Sequence, residues 1–285
     1  MEATSVLLLA LAGAAAGAIN AVAGGGSLVT FPALLALGYP PVSANVINTV
    51  AALPGYVGGV WGYRRELSGQ LRRVLVLGAV TVVGAIVGSA LLLIGPESTF
   101  TAVVPWLVLG STLLLAAQPG IARLTAARSG GVSMGAPIEP SAPAEERLRW
   151  SSLGQLGVAT YGGYFNAGLG IMMLGVLGVA LDDRLPRLNA LKSVLSAVAS
   201  AVSLVFFGIF ATVAWPAALV MAFAGLFGGW FGATLGRRIP AELLRRCVVI
   251  FGLIIFVVLW VDHASSTLKP APAERLRSVP RFTHP

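Results

Sequence analysis

With 285 residues, 56% of them hydrophobic and 11% charged, the chain carries more apolar surface than a soluble core can bury, which excludes an ordinary soluble protein. The net charge of +8 comes largely from arginine clusters between apolar runs, so we attribute it to membrane orientation and not to nucleic-acid binding. One cysteine and two histidines exclude a disulfide framework and a Cys/His zinc site. We expect no metal and no cofactor.

Apolar runs follow one another along the chain in two similar series. The first series opens with a glycine-interrupted segment at 4–38, which is too long for one membrane span. Three runs near the ~20 residues that cross a bilayer follow it, at 43–63, 74–94 and 101–117. The second series opens with a similar interrupted segment at 151–181. Its three runs lie at 188–210, 213–235 and 241–261.

Polar stretches separate and end the two series. Residues 118–150 contain prolines, glycines and charged residues, which predicts a flexible cytoplasmic linker. The Pro-rich, charged tail at 262–285 is expected to be disordered.

The two series share one pattern at an offset of 144 residues. The stretch Ala23–Gly26 matches Ala167–Gly170, and Gly88 matches Gly232. The sequence therefore predicts an all-α polytopic membrane protein with repeats at 1–117 and 151–261.

Arginine clusters predict the orientation of the spans. One cytoplasmic loop carries Arg64, Arg65, Arg72 and Arg73, and another carries Arg237, Arg238, Arg245 and Arg246. Counting spans from these loops also places 118–150 and 182–187 inside. Each repeat is then a glycine-broken hairpin plus three spans, and that odd number makes the two repeats inverted. Inverted repeats with broken helices recur in secondary transporters, where one repeat is expected to rock against the other.

The glycines fall into two classes. Gly84 and Gly88, with their counterparts Gly228 and Gly232, have the four-residue spacing typical of close helix packing. The run 24–26 differs, because each glycine weakens a helix by about 1 kcal/mol relative to alanine, and this favours a break. Backbone groups freed at that depth must face protein or a water-filled cavity. Helix starts after the breaks, expected at Ser27 and Ile171, would point N–H groups toward an anion there.

Lys192 is the only basic residue well inside an apolar run, and at the 144-residue offset it matches Asn48. Asn189 shares its helical face three residues earlier, as Asn45 does for Asn48. A lysine near a helix end can also extend to the membrane interface, and position alone does not separate the two interpretations. The matching faces favour a shared central cavity that holds an anion. The candidate substrate-binding residues are Lys192, Asn189, Ser193, Asn45, Asn48, Thr49, Gly24, Gly25, Gly26, Gly168 and Gly170.

A purely structural role remains open for several of these polar groups. The hydroxyls of Thr49 and Ser193 can bond back to the preceding helical turn. Asn20 and Asn166, just before the breaks, either line the cavity or cap freed backbone, and capping is favoured. The acidic residues all fall in tails, loops or span ends, so we predict neither an enzyme nor a buried carboxylate proton relay.

The residues around the breaks resemble a known family. The stretches Ala23–Ser27, Phe31–Leu35 and Ala44–Thr49 resemble the N-terminal signature of the TauE/SafE sulfite exporter family, and Gly168–Gly170 with Asn189–Ser193 resembles its second half. The resemblance implies a multi-pass transporter of the bacterial inner membrane that exports sulfite or organosulfonates. A passive anion channel and a non-transporting membrane assembly protein remain alternatives. Direction, coupling and oligomeric state stay open.

Overall fold

The computed structural model describes residues 2–22, 25–130, 144–181, 183–235 and 241–268. Within these ranges the chain forms ten α-helices and one short 3₁₀ turn, Arg64–Leu67. The helices are α1 Ala3–Val22, α2 Ser27–Ala36, α3 Pro41–Gly62, α4 Leu71–Ile94, α5 Glu97–Gly130, α6 Ala144–Phe165, α7 Leu169–Ala180, α8 Leu185–Phe210, α9 Trp215–Leu235 and α10 Ala241–Leu268.

Four helices in the described ranges are apolar and long enough to cross a membrane, namely α1, α4, α5 and α8. Helices also cover the other three expected runs, as α3, α9 and α10. Leucine, valine and phenylalanine side chains point outward along many of them, for example Leu75, Phe223 and Val258, each more than half exposed. An all-α polytopic membrane protein is therefore the observed class.

Both predicted helix breaks are present. Helix α1 is described to Val22 and α2 begins at Ser27, and between them Gly25 has φ 86°. Between α6 and α7, Gly168 has φ 78°, a left-handed conformation that favours glycine. The second helix thus begins at Leu169, two residues before the expected Ile171. In each pair the first helix is of full length and the second is about half as long.

Helix extends into both ends of the predicted linker. Helix α5 continues to Gly130 and α6 begins at Ala144, while residues 131–143 lie outside the described ranges. Helix α10 likewise runs past 261 to Leu268, and the rest of the predicted tail also lies outside.

Helices of one repeat pack mainly on helices of the other. Helix α1 lies against α9, and α4 lies against α6, which are equivalent pairs at the 144-residue offset. The pairs α3–α9 and α4–α8 are equivalent in the same way, and α3–α8 and α5–α10 each join a helix to its own counterpart. The duplicated pattern of the sequence is therefore also present in the packing.

Glycines make the α1–α9 and α4–α6 contacts unusually close. A Cβ atom built on Gly88 would lie 2.0 Å from the carbonyl oxygen of Thr160, and one on Gly17 would lie 2.0 Å from that of Gly225. The same distance separates a Cβ on Gly228 from the Ala14 oxygen. The packing role predicted for Gly84, Gly88 and Gly228 is confirmed, while the surroundings of Gly232 lie outside the description.

The counterparts α3 and α8 cross in opposite directions. Near the start of α8, Arg187 donates a hydrogen bond to the Ser68 carbonyl, and a Cβ on Gly59 would lie 3.1 Å from Ser193 Oγ. The first turns of α8 therefore meet the last turns of α3. Asn48, near the start of α3, lies about 16 Å along that helix from Gly59, at 1.5 Å per residue.

Candidate functional site

The first break is held together by side chains from the helices around it. Asn20 Oδ1 accepts a hydrogen bond of 2.8 Å from the Gly26 N–H, which is the capping role expected for this residue. Just after the break, the Thr30 hydroxyl hydrogen-bonds to Oδ1 of Asn48 on α3. Asn48 is buried, and its Nδ2 has no hydrogen-bond partner among the described residues.

The second break is held at its carbonyl and by aromatic packing. The Ala167 carbonyl oxygen accepts hydrogen bonds from two hydroxyls, that of Ser111 at 3.0 Å and that of Tyr161 at 2.7 Å. Phe165, at the end of α6, packs edge-on against Phe31 of α2 with ring centroids 5.2 Å apart. Aromatic contact therefore joins the two breaks.

The second break also runs along α3. The Tyr164 carbonyl accepts a 2.7 Å hydrogen bond from Asn45 Nδ2, and Asn45 Oδ1 is buried without a partner among the described residues. Two residues on, the Asn166 side chain lies beside the Tyr56 hydroxyl, but neither of its amide atoms has the geometry of a hydrogen bond. Tyr56 lies about three helical turns after Asn45 on the same face, a periodicity that sequence reasoning could have used.

At its far end the second break reaches α8. A Cβ atom on Gly170 would lie 3.7 Å from Cδ and 4.0 Å from Nζ of Lys192, so the lysine side chain runs along the start of α7. Within the described ranges, no carboxylate pairs with Lys192, and the Gly170 N–H has no hydrogen-bond acceptor. An unpaired cation beside the N-terminus of a 12-residue helix makes a positive local potential that attracts an anion.

The remaining predicted site residues are distributed as follows. The Thr49 and Ser193 hydroxyls donate to the carbonyls of Asn45 and Asn189 at 2.9 and 2.8 Å. This is the alternative, structural role, a hydrogen bond to the preceding helical turn. Gly25 faces Leu115, and Gly24 lies outside the described ranges. The structure does not bring the Asn45/Asn48 face and the Asn189/Lys192 face into one cluster; they lie toward opposite ends of the α3–α8 pair.

Two loops meet in an ionic cluster that the sequence reasoning missed. Arg73 Nη1 lies 2.5 Å from Asp183 Oδ2, and Arg187 Nε lies 3.1 Å from Asp183 Oδ1. Gln70 Nε2 donates to the Arg187 carbonyl at 3.1 Å. These four residues form what we call the loop cluster. The two loops lie on one side of the fold, as the arginine count predicts, and its cytoplasmic location stays a prediction.

Asp183 is the acidic centre of the loop cluster. Burial by itself raises the pKa of the Asp183 carboxyl, but hydrogen bonds from Arg73, from the Arg184 N–H and from Arg187 outweigh it and hold that pKa below its usual range. The stability that this shift contributes is present above the unfolded-state pKa of about 3.9 and is lost as the pH falls through the lower folded-state value.

We expect Asp183→Asn to lower the free energy of unfolding by about 1 to 2 kcal/mol at neutral pH, because it weakens charged hydrogen bonds in a half-buried site. The melting temperatures of purified wild type and Asp183→Asn, measured from pH 7 to pH 3, should differ at pH 7. That difference should become smaller as the pH falls. Glu242→Gln is the matched control, since Glu242 is 53% exposed and its ion pairs among the described residues lie within its own helix. A gap of equal size for both variants, or one independent of pH, would contradict the prediction.

Comparisons with known proteins identify the family to which the sequence is similar. The family model for Sulfite exporter TauE/SafE matches residues 9–259. A "Probable membrane transporter protein" of Haemophilus influenzae is 25% identical over 259 residues, 90% of this chain and 94% of that protein. A "Probable membrane transporter protein ORF9" of Sinorhizobium sp. is 30% identical over 106 residues, which cover 37% of this chain and only 41% of that protein.

No solved structure matches the chain. The family match is nonetheless nearly as long as the helical part of the chain, and it includes both breaks and the α3–α8 pair. The chain belongs to the TauE/SafE sulfite exporter family and is a multi-pass membrane transporter.

Proposed function

We propose that the protein is a secondary transporter that moves small anions, sulfite or organosulfonates, across the inner membrane, with export as its direction. The observation that carries the proposal is Lys192, whose ammonium has no carboxylate partner among the described residues and lies against the start of α7 at Gly170. A buried cation is costly without a counter-charge, and a transported anion supplies one. The family name supports sulfite as the substrate.

The proposed roles follow the chemistry of each group. Lys192 supplies the counter-charge, and the amides of Asn189, Asn45 and Asn48 supply neutral hydrogen bonds to oxyanion oxygens. Backbone N–H groups near Gly168–Gly170 and at Gly24 and Gly25 complete the set, while the Gly26 N–H is already bonded to Asn20 Oδ1. Ser193 and Thr49 make smaller contributions, because their hydroxyl protons are directed to backbone carbonyls.

Alternating access by inverted repeats is the proposed mechanism. What supports the inversion is that α3 and α8, equivalent at the 144-residue offset, cross in opposite directions. Polar faces then lie toward the two ends of this pair, and the second break passes between them. In this mechanism the bound anion is open first to one side of the membrane and then to the other, around one fixed site.

Uptake of radiolabelled sulfite into proteoliposomes tests the function, with organosulfonates as competitors and empty liposomes as the control. We expect saturable uptake that organosulfonates inhibit. Unsaturable flux with a matching electrical current would instead indicate a passive anion channel. Transport equal to that of empty liposomes for every sulfur anion would favour the assembly role and overturn the proposal.

A further inference from the structure

One asparagine precedes each break, but the two side chains differ: Asn20 is exposed and Asn166 is buried. The side-chain oxygen of Asn20 accepts a hydrogen bond of 2.8 Å from the backbone N–H of Gly26. At the second break a backbone carbonyl is satisfied instead, because the Ser111 and Tyr161 hydroxyls donate to the Ala167 oxygen. Asn166 is 1% exposed, and neither its Oδ1 nor its Nδ2 has a partner among the described residues.

An unpaired buried amide is unfavourable unless something outside the protein satisfies it. The position of Asn166 indicates which ligand satisfies its amide. The chain passes from the Tyr164 carbonyl, bound to Asn45, to Gly170, beside Lys192. Asn166 lies between these contacts, so its free amide falls between the two polar faces that sequence analysis singled out.

We infer that Asn166, with the neighbouring Tyr56 hydroxyl, is a direct hydrogen-bonding contact for the transported anion as it passes between the Lys192 and Asn45 faces. The inference rests on the proposed function. The amide N–H₂ and the phenolic O–H donate to oxyanion oxygens, and both groups are neutral. Neutral donors suit a transit point, because a second fixed cation would hold the anion too tightly to release it.

The test titrates sodium sulfite into purified full-length protein and measures the melting temperature, with sodium chloride at the same ionic strength as reference. Ligand-induced stabilisation reports binding without requiring transport. The variants are Asn166→Ala, Tyr56→Phe and Lys192→Gln, and Asn20→Ala serves as the example of a structural asparagine. For Asn166→Ala we expect an unliganded melting temperature no lower than that of wild type, and a half-stabilising sulfite concentration at least about ten-fold higher.

Tyr56→Phe should raise the same midpoint by several-fold. A midpoint within two-fold of wild type for Asn166→Ala, while Lys192→Gln loses the response, would overturn the inference and leave the proposed function standing. An unliganded melting temperature lowered as much as in Asn20→Ala would also overturn it, because Asn166 would then be a structural cap. No sulfite response in the wild type, with none to sulfoacetate either, would overturn both.

Discussion

Lys192→Gln is expected to abolish saturable sulfite uptake, lowering the rate by roughly a hundredfold at matched protein incorporation. The substitution keeps a polar side chain of similar length but removes the one charge in the candidate site. A hydrogen bond to a charged group contributes about 1.5 to 3 kcal/mol, and loss of that amount corresponds to about ten- to hundredfold in binding. The unpaired ammonium and the start of α7 act on the same anion, so removing one weakens the effect of the other.

Two further variants separate this role from a general effect of charge. Lys192→Arg retains the cation and should keep a measurable part of the uptake. Arg64→Gln removes the same charge from an exposed position on the 3₁₀ turn and should leave uptake unchanged. Equal uptake in wild type and Lys192→Gln would remove Lys192 from the mechanism and favour the membrane-interface interpretation of its side chain.

Gly88→Ala is expected to destabilise the fold by about 3 kcal/mol or more, because a close helix contact has no room for a methyl group. The new Cβ would lie 2.0 Å from the Thr160 carbonyl oxygen and 2.8 Å from the Tyr164 nitrogen, both backbone atoms that cannot turn aside. Helices α4 and α6 would have to separate. The measurement is the yield of monodisperse protein after detergent extraction, together with its melting temperature.

The matched control lies on the same helix. Gly78 is also inside α4, but a Cβ there would meet nothing within 4 Å. Gly78→Ala should therefore be neutral, or stabilising by up to about 1 kcal/mol through helix propensity. Similar losses in the two variants would show that the sensitivity belongs to α4 as a whole and not to its contact with α6.

Much of the architecture could be predicted from local patterns. The breaks near Gly25 and Gly168 follow from glycine chemistry, and the packing of Gly88 follows from its spacing with Gly84. The helical ends of the predicted linker could not be foreseen, because Pro119 and neighbouring polar residues resemble a loop although α5 continues through them. Interior prolines in membrane helices are tolerated when surrounding groups satisfy the freed backbone.

The candidate site was predictable only in its residue types. Lys192, Asn45 and Asn48 stand out as polar residues in apolar runs, but their relative position depends on the direction in which α3 crosses α8. Asn20 and Asn166 look alike in sequence, and only the structure shows that Asn20 accepts the Gly26 N–H while the Asn166 amide has no partner among the described residues. The loop cluster was missed for the same reason, since Arg73 and Asp183 are brought together by tertiary packing across 110 residues.

The glycine contacts also restrict how the molecule can change shape. The closest backbone approaches join α1 to α9 and α4 to α6, and each of these pairs takes one helix from either half of the chain. Pulling the halves apart as two blocks would open the most tightly packed surfaces in the fold. A movement that keeps each pair intact, and slides the pairs past α3 and α8, preserves those surfaces. We therefore expect mixed pairs of helices to move as units, with a boundary between them that does not coincide with the boundary between the two series of apolar runs.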